Sequence, residues 1–154
     1  MDKNLSLEKK ALPKVRYVDG TNMVLGRLAS KIAKLALLGD RIIIVNCEKI
    51  VKTGQPQQVI NEYLDKIQRI RGRQKGPLWP KRPDTMVRRT IKQMLPFKRK
   101  RGKKALRNVE VYIGVPHEYE KHKLEQFEEA KLPRTKRFIT IGGIAEKAGP
   151  ARWK

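Results

Sequence analysis

The stretch VRYVDGTNMVLGRLASKIAKLALLGDRIIIVN, residues 15–46, narrows the choice of folds more than any other part of the chain. VRYVDG at 15–20 is a β-rich run closed by Asp19 and Gly20. After it, Leu25, Leu28, Ile32 and Leu35 recur at helical spacing, with Arg27, Lys31 and Lys34 on other faces, which predicts an amphipathic helix. Thr21 or Asn22 can cap its start, and Gly39 suits its end. RIIIVN at 41–46 is a continuous branched-apolar run, the pattern of a strand covered on both faces. Strand, helix and strand in that order make a βαβ unit, whose strands pair in parallel through a right-handed crossover. The predicted class is therefore α/β.

The rest of the chain extends that plan. KTGQP reads as a turn, and QQVINEYLDKIQRI places Val59, Ile60, Tyr63, Leu64 and Ile67 on one side of a second helix. DTMVRRTIKQML brings Val87, Ile91, Met94 and Leu95 into helical register, with Pro83 and Asp84 as its starters. NVEVYIG at 108–114 and KRFITIGG at 136–143 read as strands, with a short helix from Ile144 to Ala148 after them. The flanks RGRQKGPLWPKRP and PFKRKRGKK carry the Gly and Pro that favour loops. Residues 1–14 are set apart as an extension and 15–154 as a single domain. A chain of 154 residues can bury a core without disulfides or metal.

Charge decides the class of partner. Lys and Arg number 37 against 15 Asp and Glu, a net +22. Between Lys66 and Val109 there are 17 Lys or Arg against the single acid Asp84, so these 44 residues hold +16 of the surplus. At its densest, Lys98–Lys104 packs six cations around Gly102. Such a run repels itself and stays extended and solvated unless a polyanion neutralises it. Nucleic acid is the favoured polyanion, because neutralised phosphates release condensed counterions; an anionic membrane surface is the competitor. Charged residues throughout the first 14 positions leave no apolar core for a signal peptide. The apolar runs are too short to span a bilayer, and a cytoplasmic protein is predicted.

Catalytic and metal signatures are weak. Gly20 and Gly26 flank the first strand-to-helix turn without either phosphate-loop spacing. A tight turn and close packing explain them better, although a helix start could hold an RNA phosphate. Cys47, the sole cysteine, excludes an intrachain disulfide and a cysteine-cluster zinc site. Following the run IIIVN and far in sequence from His117 and His122, it reads as a structural cysteine. Glu118, Glu120, Glu125, Glu128 and Glu129 match no ligand spacing; they suit a solvated face turned away from the polyanion or toward another basic protein. Trp79, in GPLWPKRP, can stack on an exposed base or anchor its loop, anchoring being the more ordinary role. No cofactor is predicted.

The segment WPKRPDTMVRRTIKQMLPFKRKRGKKALRNVEVYIGVPH resembles the signature region of the universal large-subunit ribosomal protein L13 family (uL13), in which MLP is followed by a basic stretch, a Gly, a short helix and a VY-G strand. VDGTNMVLGRLASKIAK, IIIVNCEKIVKTG and FITIGGIAE are also similar to that family, and WPKRPD to its archaeal branch. Gln93 departs from it, standing where members commonly carry Gly. The resemblance implies a three-layer α/β/α body with a mostly parallel four-stranded sheet and basic loop and helix extensions. It implies a non-enzymatic constituent of the large ribosomal subunit that binds large-subunit rRNA, meets neighbouring ribosomal proteins, and takes no small-molecule substrate. Its rRNA contacts are expected from the block Lys98, Arg99, Lys100, Arg101, Lys103 and Lys104, and from Arg88, Arg89 and Lys92 on the preceding helix. Arg69, Arg71, Arg73, Lys75, Trp79, Lys81 and Arg82 complete the expected surface. Two other readings compete: an RNA-acting enzyme on the same scaffold, which needs a nucleotide loop or acid/base cluster, and a general DNA-compacting protein, which leaves the patterned sheet unexplained.

Overall fold

The computed structural model describes residues 14–71, 79–133 and 137–149, and for 68–71 the backbone alone. Strand β1 (Val15–Asp19) leads into helix α1 (Leu25–Leu38) and strand β2 (Arg41–Val45). β1 and β2 pair in parallel, with Val15 opposite Arg41 and Asp19 opposite Val45, so the predicted βαβ unit is present. Gly39 ends α1 in the left-handed conformation at φ 110°, its N–H directed to the Ala36 and Leu35 carbonyls. The start of α1 differs from the expectation: Val24 occupies the cap without a side-chain bond. Thr21 turns back to the Asp19 carboxylate instead, donating from its N–H at 3.1 Å and its hydroxyl at 2.8 Å.

The chain continues through β3 (Val51–Thr53), α2 (Pro56–Arg71), α3 (Pro83–Met94), α4 (Lys100–Arg107), β4 (Val109–Val111), β5 (Phe138–Thr140) and α5 (Ile141–Ala148). β4 joins the far side of β2 in parallel, Ile42 opposite Val109 and Ile44 opposite Val111, which gives the order β1-β2-β4. The regular sheet thus has three strands where four were expected. A fourth position exists beside β1, but only Glu125 fills it. Its N–H donates to the Tyr17 carbonyl at 2.8 Å, and its own carbonyl accepts from Asp19 N–H at 3.0 Å. β3 and β5 form a separate antiparallel pair, Val51 opposite Thr140. The strand β3 lies where part of a turn was predicted. α5 begins three residues earlier than expected, because the Thr140 hydroxyl accepts from Gly143 N–H at 3.1 Å and caps it.

β2 holds the molecule together. Ile42, Ile43, Ile44 and Val45 are each at most 2% exposed, as a strand covered on both faces requires. Ile42 and Ile44 belong to one core with Leu28 and Ile32 of α1, Met86, Val87 and Ile91 of α3, Ala105 of α4, and Val109. Met94, placed on the apolar stripe by the sequence, is 41% exposed, and Met86 occupies the core instead. Among the described residues the opposite face carries an irregular segment. Tyr17 stacks on His122 at 4.2 Å, and Tyr119 packs against both Tyr17 and Tyr112. Gly20 is fixed by close approach, since a β-carbon there would stand 2.7 Å from Ile50 Cγ1.

At the amino end of the sheet Asp40, 8% exposed, accepts from the Arg16 guanidinium at 2.9 Å and from Lys14 N–H at 3.2 Å. Burial pushes this carboxyl up, but the Arg16 and Lys14 hydrogen bonds outweigh it and hold the group below the ordinary carboxylate value. The ionised form therefore stabilises the folded state. That contribution is complete above the unfolded-state value of about 4 and is lost as pH falls through the lower folded-state value. Asp40→Ala is expected to cost about 1–3 kcal/mol in urea denaturation at pH 7, and the gap from the parent should narrow on going to pH 3. A gap independent of pH would mean that the ionised carboxylate contributes nothing.

Candidate nucleic-acid interface

Helix α3 forms with Pro83 at its first position, where no N–H is needed, and Asp84 in its first turn, which suits the positive end of the helix dipole. Its inner face buries Met86, Val87 and Ile91, which leaves Arg88 and Lys92 exposed and Arg89 half-buried. Leu95 closes the helix and is buried, and Pro96–Phe97 turns the chain toward α4. Lys92 Nζ lies 4.0 Å from the centre of the Phe97 ring, a cation over an aromatic face.

From its charge the cationic block was expected as an extended loop, and here the structure corrects the expectation: the short helix that the family resemblance places after Gly102 begins already at Lys100. Lys100–Arg107 is helix α4, a short amphipathic element with Gly102 and Ala105 buried and Lys100, Arg101, Lys103, Lys104 and Arg107 exposed. Gly102, the one interruption in the block, is its docking point. A β-carbon there would stand 2.3 Å from the Pro96 carbonyl oxygen and 2.5 Å from its carbon. Packing, not intrinsic preference, secures this helix. Its first turn has no acid and begins with Lys100 and Arg101, which oppose the dipole; Lys104 and Arg107 in its last turn favour it.

Among the described residues none of Arg88, Lys92, Lys98, Arg99, Lys100, Arg101, Lys103 and Lys104 pairs with a carboxylate. Elsewhere the acids are engaged. Arg16 holds Asp40 and Glu125, Lys31 holds Glu129, Arg41 reaches Glu110 at 2.8 Å, and Lys131 reaches Glu128. The acidic segment follows a path of its own, from Tyr119 over one sheet face, past β1 at Glu125, to α1 at Glu129. Because α3 and α4 pack with α1 on the other face, the two charge signs are largely segregated.

The remaining predicted residues divide. Trp79 is half-buried, edge-on to Tyr63 at 5.7 Å, with the Arg89 guanidinium 4.1 Å from its ring centre. Its anchoring role is visible in those contacts. Arg82 is exposed and reaches Asp84 at 3.2 Å, while the exposed Lys81 packs its stem against Gly149. Arg73 and Lys75, the side chains of Arg69 and Arg71, and the extension 1–13 lie outside the described residues. Sequence reasoning missed Arg107, Phe97 and Lys66 as members of this surface. Arg107 and Lys66 lay within the basic region as counted, and Phe97 could have been found as the one aromatic inside the turn.

The enzymatic candidates are used otherwise. Cys47 is fully buried, and burial pushes its thiol up to about 12, so it is no nucleophile at neutral pH. Exposed His117 faces Glu120 at 3.0 Å, and His122 is stacked on Tyr17. No group of three or more metal-ligating side chains occurs among the described residues. None of their helices is long and apolar enough to cross a membrane.

The family model for ribosomal protein L13 matches residues 13–118. The large ribosomal subunit protein uL13 of Methanopyrus kandleri is 41% identical over 136 residues, covering 86% of this chain and 85% of the relative. That of Methanococcoides burtonii is 38% identical over 134 residues, 86% of this chain and 96% of the relative. That of Archaeoglobus fulgidus is 38% identical over 135 residues, 86% of each.

The docking of α4 predicts opposite outcomes for two Gly→Ala changes. Gly102→Ala forces the helix off Pro96 and should cost about 1–3 kcal/mol. Gly26→Ala, exposed in α1 with no atom within 4 Å of the added carbon, should be neutral or gain up to about 1 kcal/mol. Urea denaturation of both variants checks the pair, and a Gly102→Ala protein as stable as the parent would contradict the packing described.

Proposed function

The chain belongs to the ribosomal protein L13 family and is a structural constituent of the large ribosomal subunit, and we propose that it holds large-subunit rRNA through the outer faces of α3 and α4. The observation that carries this reading is the set of exposed cations on two ordered helices and the turn that joins them, none of the eight named above paired with a carboxylate among the described residues. Arg88, Arg99 and Arg101 suit bidentate phosphate contacts, and the lysines act as point charges. A phosphate at the start of α4 would also meet a dipole that no acid neutralises. Such contacts set position and affinity without reading sequence, so the folded shape of the RNA selects the site.

The opposite charge has a place in the same reading. The acidic segment from Glu118 to Glu129 runs over the sheet face opposite α3 and α4 before it reaches α1 at Glu129, and it is suited to a neighbouring basic ribosomal protein. Residues 15–154 act as one domain, with 66–109 as its RNA-binding region, to which Trp79, Lys81, Arg82 and the cations from Arg69 to Lys75 also belong.

Binding of a large-subunit rRNA fragment should weaken steeply between about 50 and 200 mM salt. Replacing Lys98, Arg99, Lys100 and Arg101 together by Ala should lower the affinity and reduce the salt slope by about one for each phosphate left without its cation. Circular dichroism should be unchanged, since Ala favours the helix that Lys100 and Arg101 begin. A folded variant with parental affinity and slope would place the RNA on another surface.

A further inference from the structure

Beside the cationic face lies a cavity of about 380 Å³, enclosed by the start of α1, β3, α2, α3 and α5. We propose that it receives one unstacked nucleotide of the bound RNA, the base against Tyr63 and Trp79 and the phosphate toward Lys66 and Arg89. The inference rests on the rRNA-binding reading and adds to it a defined subsite. Its walls divide by chemistry: Val24, Met86, Ile141 and Ile144 are apolar, Tyr63 and Trp79 aromatic, and Lys52, Lys66 and Arg89 cationic. A volume of this size falls at the low end of ligand pockets, roughly 300–1,000 Å³, room for one nucleotide but not for a paired stem.

The aromatic wall is held before any ligand arrives. The Tyr63 hydroxyl donates to the Pro80 carbonyl at 3.1 Å, and its ring meets Trp79 edge-on at 84°. Arg89 caps the indole at 4.1 Å, and Lys66 Nζ lies 5.3 Å from the ring centre. Fixed aromatic platforms with adjacent cations are how single-stranded nucleic acid is gripped without base-edge readout. Lys52 is drawn toward an acid, Glu62 at 3.9 Å; Lys66 and Arg89, beside the indole, hold the anionic side.

Position supplies the second argument. Arg89 lines this cavity and two neighbouring hollows: one bounded by Lys92, Phe97, Lys98 and Arg99, the other by Trp79, Arg88, Lys92 and Leu106. The cavity therefore opens from the same track of cations proposed to follow the phosphate backbone. A strand along Lys98, Arg99 and Lys92 arrives at Arg89, where one nucleotide can leave the stack and turn inward. Unstacking is least costly in loops and bulges, the elements by which folded RNA is most often told apart.

Stacking releases no counterions, so the test separates this site from the phosphate track. Trp79→Leu should weaken binding of the rRNA fragment about 5- to 150-fold, the span of one base–aromatic contact, with the salt slope unchanged; Trp79→Phe should recover part of the loss. Ultraviolet irradiation of the parental complex should leave a nucleotide adduct on the peptide carrying Trp79. With the indole signals of the full chain assigned by Trp153→Phe, AMP or UMP should shift the Trp79 N–H resonance more than ribose 5-phosphate does, a readout that needs no Trp79 variant. The inference is overturned if Trp79→Leu keeps parental affinity while the fourfold alanine variant loses its slope, if ribose 5-phosphate shifts the indole as much as AMP, or if the adducts map only elsewhere. Failure of the parental chain to bind rRNA would remove this inference together with the function it rests on.

Discussion

The cationic surface depends on one close contact, the α4 backbone at Gly102 against the Pro96 carbonyl. Six cations in seven residues oppose their own assembly, and the two at the start of α4 oppose the helix dipole as well. What balances them is local and apolar. Gly102 and Ala105 are buried, Leu106 packs against the core at its margin, and Leu95 closes the preceding helix. A residue larger than Gly at 102 would separate the two segments by the width of a side chain, and Ala105 would then leave the core. The surface is thus ordered by a few small residues that carry no charge.

That docking needs a rigid support, which β2 provides. Buried on both faces, it fixes β1 and β4 in register and brings α1 and α3 over Ile42 and Ile44. The other face of the sheet uses Tyr17, Tyr112, Tyr119 and His122 in place of aliphatic residues, and their polar edges suit an acidic covering segment. Asp19 ties that segment to the sheet: its carboxylate accepts from Thr21, Asn46 and Gln126. Burial raises the Asp19 carboxyl and these hydrogen bonds more than offset the rise, so it stays ionised at neutral pH. Charge segregation is therefore a product of topology, because the densest run of acids, Glu118 to Glu129, falls where the chain crosses β1 and reaches α1.

How legible this was in the sequence varied with the range of the interactions involved. The βαβ unit was plain, since branched residues at 42–45 and the repeat from Leu28 to Ile32 answer to local periodicity. The helix α3 was equally plain, although Met94 left the apolar stripe and Met86 joined it, because a stripe of period 3.6 has two edges and only tertiary packing chooses between them. The strand β3 was hidden in three residues whose pairing partner lies far along the chain at Phe138–Thr140. Glu125 could not have been read as a sheet position, for a single bridge has no periodicity. The block at Lys98–Lys104 was legible as charge and not as shape. Its Gly looked like a loop signal and proved to be a packing position, a distinction that depends on the Pro96 carbonyl and not on the local string.

The two helices also bear on why an α/β body is used where a disordered basic tail would neutralise phosphate just as well. A tail must lose its conformational freedom when it binds, and this subtracts from the affinity its charges supply. On α3 and α4 the backbone part of that loss has already been met by folding, so each phosphate contact proposed for them would be made from a fixed base. Fixed spacing brings a second consequence: cations at set positions match only those RNA surfaces whose phosphates fall in the corresponding places. Under the proposed reading, selectivity for a folded RNA would follow from geometry alone, and it would come from the same Gly102 contact that lets a self-repelling helix stand on the protein at all.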